Sequence, residues 1–175
     1  MLAIMAIALT GLSACSSPNE PHTAVYDYSV DVPQSGWTSA DTLFYDLLLT
    51  QPATIKNPIV PRRTYQLSMS VRFDASFPFT ALPLQLLVQQ TDTMGGYLHP
   101  VRNLLRRDLA PQLRDSLGQP IGHTWGSLIT QSIPLPDLTL RFDSAGTYRL
   151  LITPQTGSHR SIPGIASVGV RLTQE

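Results

Sequence analysis

Charge is what this sequence has least of. Its 12 basic and 12 acidic residues cancel, and only 14% of the chain is charged. Such a chain has no bulk field with which to hold nucleic acid or an acidic substrate. Lysine is reduced to Lys56, and the remaining basic residues are arginines scattered from Arg62 to Arg171, a pattern of local hydrogen bonding rather than of a basic patch. Metal-ligand spacing is absent too. His22, His99, His123 and His159 lie far apart, none in a His-x-x-x-His or His-x-His arrangement, so no metal or cofactor is expected. Ser127 in "HTWGS" lacks the Gly-x-Ser-x-Gly elbow, and no glycine-rich phosphate loop follows a strand pattern. Asp108 and Asp115 are a carboxylate pair near a turn of the kind a glycosidase uses, but a chain with 12 acidic residues offers such pairs by chance. No catalytic residue is assigned, and the expectation is a protein that is not an enzyme.

Long apolar runs are likewise missing, save one at the start. "MLAIMAIALTGLSA", residues 1–14, is too short for the roughly 20 residues of a membrane-spanning helix. Its length suits the hydrophobic part of a secretory signal, and Leu12-Ser13-Ala14-Cys15 has the Leu-small-small-Cys form of a bacterial lipobox. The only cysteine of the chain is thereby explained: Cys15 is the expected lipid attachment site and first mature residue. A signal ordinarily opens on Lys or Arg, and residues 1–15 have neither, which points to a start upstream or a truncated chain. Residues 15–23, the lipidated Cys followed by "SSPNEPHT", have the composition of a short flexible tether. Several acyl chains at about 0.8 kcal/mol per buried methylene would hold the protein stably on a membrane without spanning it.

Beyond the tether the apolar period becomes two. In "YQLSMSVRFD" Tyr65, Leu67, Met69, Val71 and Phe73 alternate with polar residues, the mark of a half-buried strand. "VYDYSVDV", "LTLRF", "TYRLLI" and "VGVRL" alternate likewise, whereas "LFYDLLL" and "LPLQLLVQ" read as strands apolar on both faces. In "VRNLLRRDLAPQLRDSL" the spacing of Val101, Leu105 and Leu109 fits a helical face that Pro111 must end, so one helical turn and then a strand are expected. With 15 Pro and 11 Gly punctuating short strands, the expected fold is all-β, a single antiparallel β-sandwich of jelly-roll-like character over residues 24–175.

The order of these motifs resembles one family. "VYDYSV" followed by Trp37, Asp41 and Phe44; "LSMSVRFDASFPFTALPL" with Arg72 and the turn Phe77-Pro78-Phe79-Thr80; "LRDSLGQPIG" with Asp115, Gly118 and Gly122; "FDSAGTYRLLI"; and "HRSIPGIASVGVRL" with Gly164, Ile165, Val168 and Gly169 are together similar to the gliding motility lipoprotein GldH family of the Bacteroidota. Pro120 departs from the pattern, standing where an aromatic residue is expected. The resemblance implies a non-enzymatic lipoprotein accessory to gliding motility and type IX secretion. Its partners would be a membrane, through the N-terminal lipid, and envelope proteins of that machinery. With Ser16 rather than Asp after the cysteine, an outer-membrane location facing the periplasm is expected. The other reading is a glycan- or ligand-binding sandwich lipoprotein, for which two Trp, six Tyr and five Phe are few. The matching residues read as structural. Pro78 fixes φ and sets Phe77 and Phe79 on either side of a bend, Arg72 on a polar strand face is held by a carboxylate or carbonyls, and Gly164 and Gly169 mark turns or bulges. Trp37 and Trp125 are the candidate interaction residues wherever one of them is at the surface, a place in the core being the commoner fate of such a ring.

Overall fold

In the computed structural model, residues 24–49 and 59–175 are described. The signal segment, Cys15, the tether, His22 and Lys56 lie outside them. The elements are β1 (Ala24–Asp31), β2 (Leu43–Leu49), β3 (Thr64–Asp74), β4 (Leu84–Met94), β5 (Tyr97–Leu109), β6 (His123–Trp125), β7 (Leu128–Arg141), β8 (Gly146–Pro154) and β9 (Ile165–Gln174). They form two antiparallel sheets, in the orders β1-β9-β3-β7-β6 and β2-β8-β4-β5. The all-β sandwich expected from the period-two segments is the observed fold.

The winding follows from the pairings. β4 pairs β5, β3 pairs β7, β2 pairs β8 and β1 pairs β9, all antiparallel. Read in that order they are one long hairpin whose tip is Gly95-Gly96, rolled up so that β9 also meets β3 and β8 also meets β4. That is the jelly-roll arrangement, with β6 added beside β7 as a short edge. Rolling is driven by the alternating faces. Tyr65, Leu67, Met69, Val71 and Phe73 of β3 and Val168, Val170 and Leu172 of β9 are buried against Leu84, Leu86 and Val88 of β4 and Tyr148, Leu150 and Ile152 of β8. The Tyr45 hydroxyl crosses the core to donate to the Val168 carbonyl at 2.7 Å, joining the two sheets. Burial pushes the Tyr45 phenol well above its ordinary range.

Three expectations change. The segment around Val101 to Leu109 is not helical but lies in β5, a 13-residue edge strand. Two register shifts in its pairing with β4 leave Val101 and Leu104 as extra residues, and such bulges break the alternation that would have betrayed a strand. "LFYDLLL" is not two-sided. Leu43, Tyr45, Leu47 and Leu49 are buried, while Phe44 and Leu48 face outward on an edge strand, Phe44 lying 5.1 Å beneath the Arg149 guanidinium that grips Asp46 through two oxygens. β1 is also an edge, which leaves Tyr28 exposed. Gly169 is neither turn nor bulge. It lies mid-strand in register with Ser29 and Ser70, where a side chain would collide with Ser70 Oγ.

Strand polarity separates the sandwich into two ends. The connections 32–42, 75–83, 110–122, 126–127 and 155–164 all emerge at one end. At the other lie Ala24, Glu175, the 142–145 turn and the Gly95-Gly96 tip.

Candidate functional site: the loop end

Most of the residues that carry the family-like pattern meet at the end bearing the long connections, while the turn of "FDSAGTY" lies at the other. β3 stops at Asp74, whose Oδ1 accepts from Ser76 N at 2.7 Å, a bond that holds the exposed carboxyl below its ordinary range. Asp74 N donates to the Gly164 carbonyl at 2.7 Å and Phe77 N to the Asp74 carbonyl at 2.9 Å, so the chain turns against the 155–164 connection. Phe77 is buried, its ring edge-on to Phe73 at 5.8 Å and to Phe79 at 5.6 Å. Pro78 is exposed at the apex, and Phe79 is half-buried with its ring 5.0 Å from that of His159.

The arginine that holds this bend is not Arg72. Arg72 stands exposed on β3, opposite Thr130 and Ser167, and its guanidinium has no hydrogen-bond partner among the described residues. Arg114 has the role. Its Nε donates to the Phe77 carbonyl at 2.8 Å, Nη2 to the Ala75 carbonyl at 2.5 Å and Nη1 to the Gly118 carbonyl at 2.8 Å. One guanidinium thus ties the Phe-Pro-Phe bend to the glycine turn. The next residue builds that turn. Asp115 Oδ1 accepts from Leu117 N at 2.9 Å and Gln119 N at 2.8 Å, and Gly118 N donates to the Asp115 carbonyl at 3.1 Å. Pro120 completes the turn by bridging Arg114. Gly122 then passes so close to β7 that a methyl group there would come within 2.5 Å of the Thr130 oxygen. Sequence reasoning missed Arg114 because its backbone-carbonyl partners lie on the 75–77 and 118 turns; adjacency to Asp115 in "LRDSLG" was its only signal.

The two tryptophans part company. Trp37 is wholly buried, bridged through its backbone to Ile162, with Nε1 donating to the Asp41 carbonyl at 2.6 Å. Asp41 closes that turn by accepting from Thr38 Oγ1 at 2.7 Å and Thr38 N at 3.0 Å, bonds that lower its carboxyl pKa. Trp125, at the tight turn into β7, is 86% exposed, and the preceding connection leaves Leu117 82% exposed with Ile121 also open. Large apolar side chains standing free on a neutral surface are what protein contacts use.

Two recesses flank the bend. One of about 310 Å³ is lined by Phe79, Ala81, Pro83, His159 and Ile162, and an open groove of about 770 Å³ by Val32, Pro33, Asp74, Leu128 and Gly164. Neither gathers a metal-ligating set, and no group of three His, Cys, Asp or Glu comes together among the described residues. Asp108 and Asp115 do not face a common site: Asp108 accepts the side-chain amides of Gln85 and Gln155 at 3.0 and 2.6 Å, and Asp115 is spent on its turn. The arrangement offers apolar surface and backbone polarity, which suits recognition of another chain.

No curated protein matches this chain at a significant level. Among solved structures it is similar to a chain of infectious bursal disease virus, Gx strain, with 11% identity, 95% of this chain and 36% of the viral chain covered, and a TM-score of 0.36. It is also similar to the VP2 subviral particle of infectious bursal disease virus, with 13% identity, 96% and 37% covered, and a TM-score of 0.31. The chain spans about a third of the length of those viral chains, and a likeness this loose carries no argument. The model of the GldH lipoprotein family matches residues 24–172, nearly the whole described sandwich. The chain therefore belongs to the GldH lipoprotein family.

Proposed function

We propose that this protein is a lipid-anchored accessory component of the gliding motility and type IX secretion machinery, working by protein contact from the outer membrane on its periplasmic side. The observation that carries the reading is the polarity of the sandwich. Ala24, where the tether joins, lies at the end opposite Trp125, Leu117 and the Phe77-Pro78-Phe79 bend. A chain anchored at Cys15 would therefore present the loop end away from its membrane. Eight residues between Cys15 and Ala24 reach at most ~28 Å, which confines the domain to the membrane neighbourhood and raises its effective concentration for other envelope proteins. The glycan-binding alternative has less support. The exposed aromatics Tyr28, Phe44, Tyr97 and Trp125 sit on β1, β2, β5 and β6, four separate places rather than one platform.

The test is complementation of a deletion. A form lacking residues 1–15 and exported by another signal is expected to fold normally, to rescue motility poorly at native level and to rescue it better when overproduced. Full rescue at native level would reject the anchored, contact-dependent reading.

A further inference from the structure

We infer that the β4–β5 hairpin tip is a second membrane contact, which fixes the orientation that the N-terminal lipid alone leaves free; the inference rests on the anchored reading above. β4 has its last partner in β8 at Thr91, opposite Thr147. Beyond that point the pairs Asp92 with His99, Thr93 with Leu98 and Met94 with Tyr97 continue as two strands with no third strand beside them among the described residues. Three residues at about 3.4 Å each make an overhang of ~10 Å past the end of the sheet. The tip is a tight turn. Gly95 and Gly96 have φ of 60° and 83°, positive at both central positions as a type I′ two-residue turn requires.

What the tip presents is apolar and amphipathic. Met94 is 64% and Tyr97 76% exposed, and being directly paired they stand side by side on one face. A tyrosine with an unbranched apolar neighbour matches the headgroup boundary, where an aromatic ring can be half desolvated while its hydroxyl stays wet. Depth is limited by Asp92 one step back, exposed and paired in register with His99, so entry stops with the turn at the interfacial 5–10 Å. The identity of the occupant follows from where the chain leaves the sandwich. Ala24 pairs with Thr173 at the same end as this tip, and the segment joining Ala24 to Cys15 is too short to hold the domain more than ~28 Å from the bilayer. Of the two ends, this is the one a lipid on Cys15 would turn toward the bilayer. Two attachment points, one covalent and one built from the hairpin, set an axis where a single tether sets none.

The experiment uses the full, acylated chain reconstituted into phosphatidylcholine–phosphatidylglycerol vesicles. With Cys15 acylated, Tyr97→Cys supplies the only free thiol, and an environment-sensitive fluorophore placed there is compared with one at Leu117→Cys on the far end; Met94→Cys is the second tip position. The tip probes are expected to shift to the blue on reconstitution and to be quenched several-fold more by nitroxide-bearing lipids than the Leu117 probe. Equal exposure of all three to aqueous iodide, in protein that floats with the vesicles, would overturn the inference and leave the anchored reading standing. A chain that is unacylated by mass spectrometry and does not float would overturn both. Capture of a protein rather than lipid by a photo-crosslinking residue replacing Tyr97 in intact envelopes would also overturn the inference.

Discussion

At the loop end, five connections lock onto one another through a buried tryptophan, an aromatic bend and an arginine that reaches three carbonyls, whereas the end where the chain enters carries the 142–145 turn and a two-stranded overhang with no further strand beside it among the described residues. The same rolled hairpin produces both. Its strands alternate direction, so the six connections that change sheet must cap the core somewhere, and most do so far from Ala24. Order at the loop end therefore comes from packing, while exposure at the near end is local and leaves the core untouched. Substitutions at the two ends should then separate cleanly into those that unfold the domain and those that only alter what it touches.

The largest effect is expected at Phe77. Removing its ring leaves Phe73 and Phe79 without their shared partner and opens a cavity at the core edge, so Phe77→Ala should cost about 3–5 kcal/mol. Tyr97→Ala, a similar truncation on the overhang, should change stability by no more than about 0.5 kcal/mol. Urea unfolding of both variants checks the contrast. A stable Phe77→Ala protein that has lost function would move the bend from the packing scaffold to the contact surface.

Next comes Arg114. Its three acceptors are main-chain carbonyls of two different turns, and charge-assisted bonds of this kind contribute more than neutral ones, but the group is partly wet. Arg114→Ala is expected to cost about 2 kcal/mol, while Arg72→Ala stays within about 0.5 kcal/mol. Arg114→Lys should recover little, because a point charge cannot reach three carbonyls from one fork. Thermal melts of the three variants decide it. Loss of stability in Arg72→Ala equal to that in Arg114→Ala would mean the clamp has been misassigned.

How much of this was legible beforehand depends on which residues are considered. β3, β8 and β9 were plain because each is central in its sheet and one face is buried throughout, so Tyr65 to Phe73 and Tyr148 to Ile152 keep strict alternation. β5 was not. Val101, Leu105 and Leu109 keep a four-residue apolar spacing on an edge strand whose alternation is broken by bulges at Val101 and Leu104, and period alone then reads as a helix. The bend at Phe77-Pro78-Phe79 and the Asp115 turn announced themselves through proline, glycine and aspartate, which act locally. What joins them did not, since Arg114 meets carbonyls up to 39 positions away and any arginine of the chain could have done so. The tryptophans show the same limit. "SGWTS" and "HTWGS" are near-equivalent surroundings, yet Trp37 is buried by a bridge to Ile162 and Trp125 is left free on a turn.

The smallest effect expected is a pH dependence at the loop end. Asp41 is wholly ionised at neutral pH, and its carboxylate accepts from the Thr38 hydroxyl and backbone amide, which lower its folded-state pKa. For a depressed carboxyl the stabilisation is complete above the unfolded-state value near 4 and fades as pH falls through the lower folded-state value. Wild type should therefore melt slightly above Asp41→Asn at pH 7, and the difference should shrink on acidification below about pH 4. Salt should shrink it as well, because the group is only half-buried. No comparable difference is expected for Asp143→Asn at the near end, whose single 3.4 Å contact with Arg102 is open to solvent on both sides. Paired melts across pH 3 to 7 at two salt concentrations read both variants at once. An Asp143→Asn shift as large as that of Asp41→Asn would erase the distinction between a braced end and a bare one.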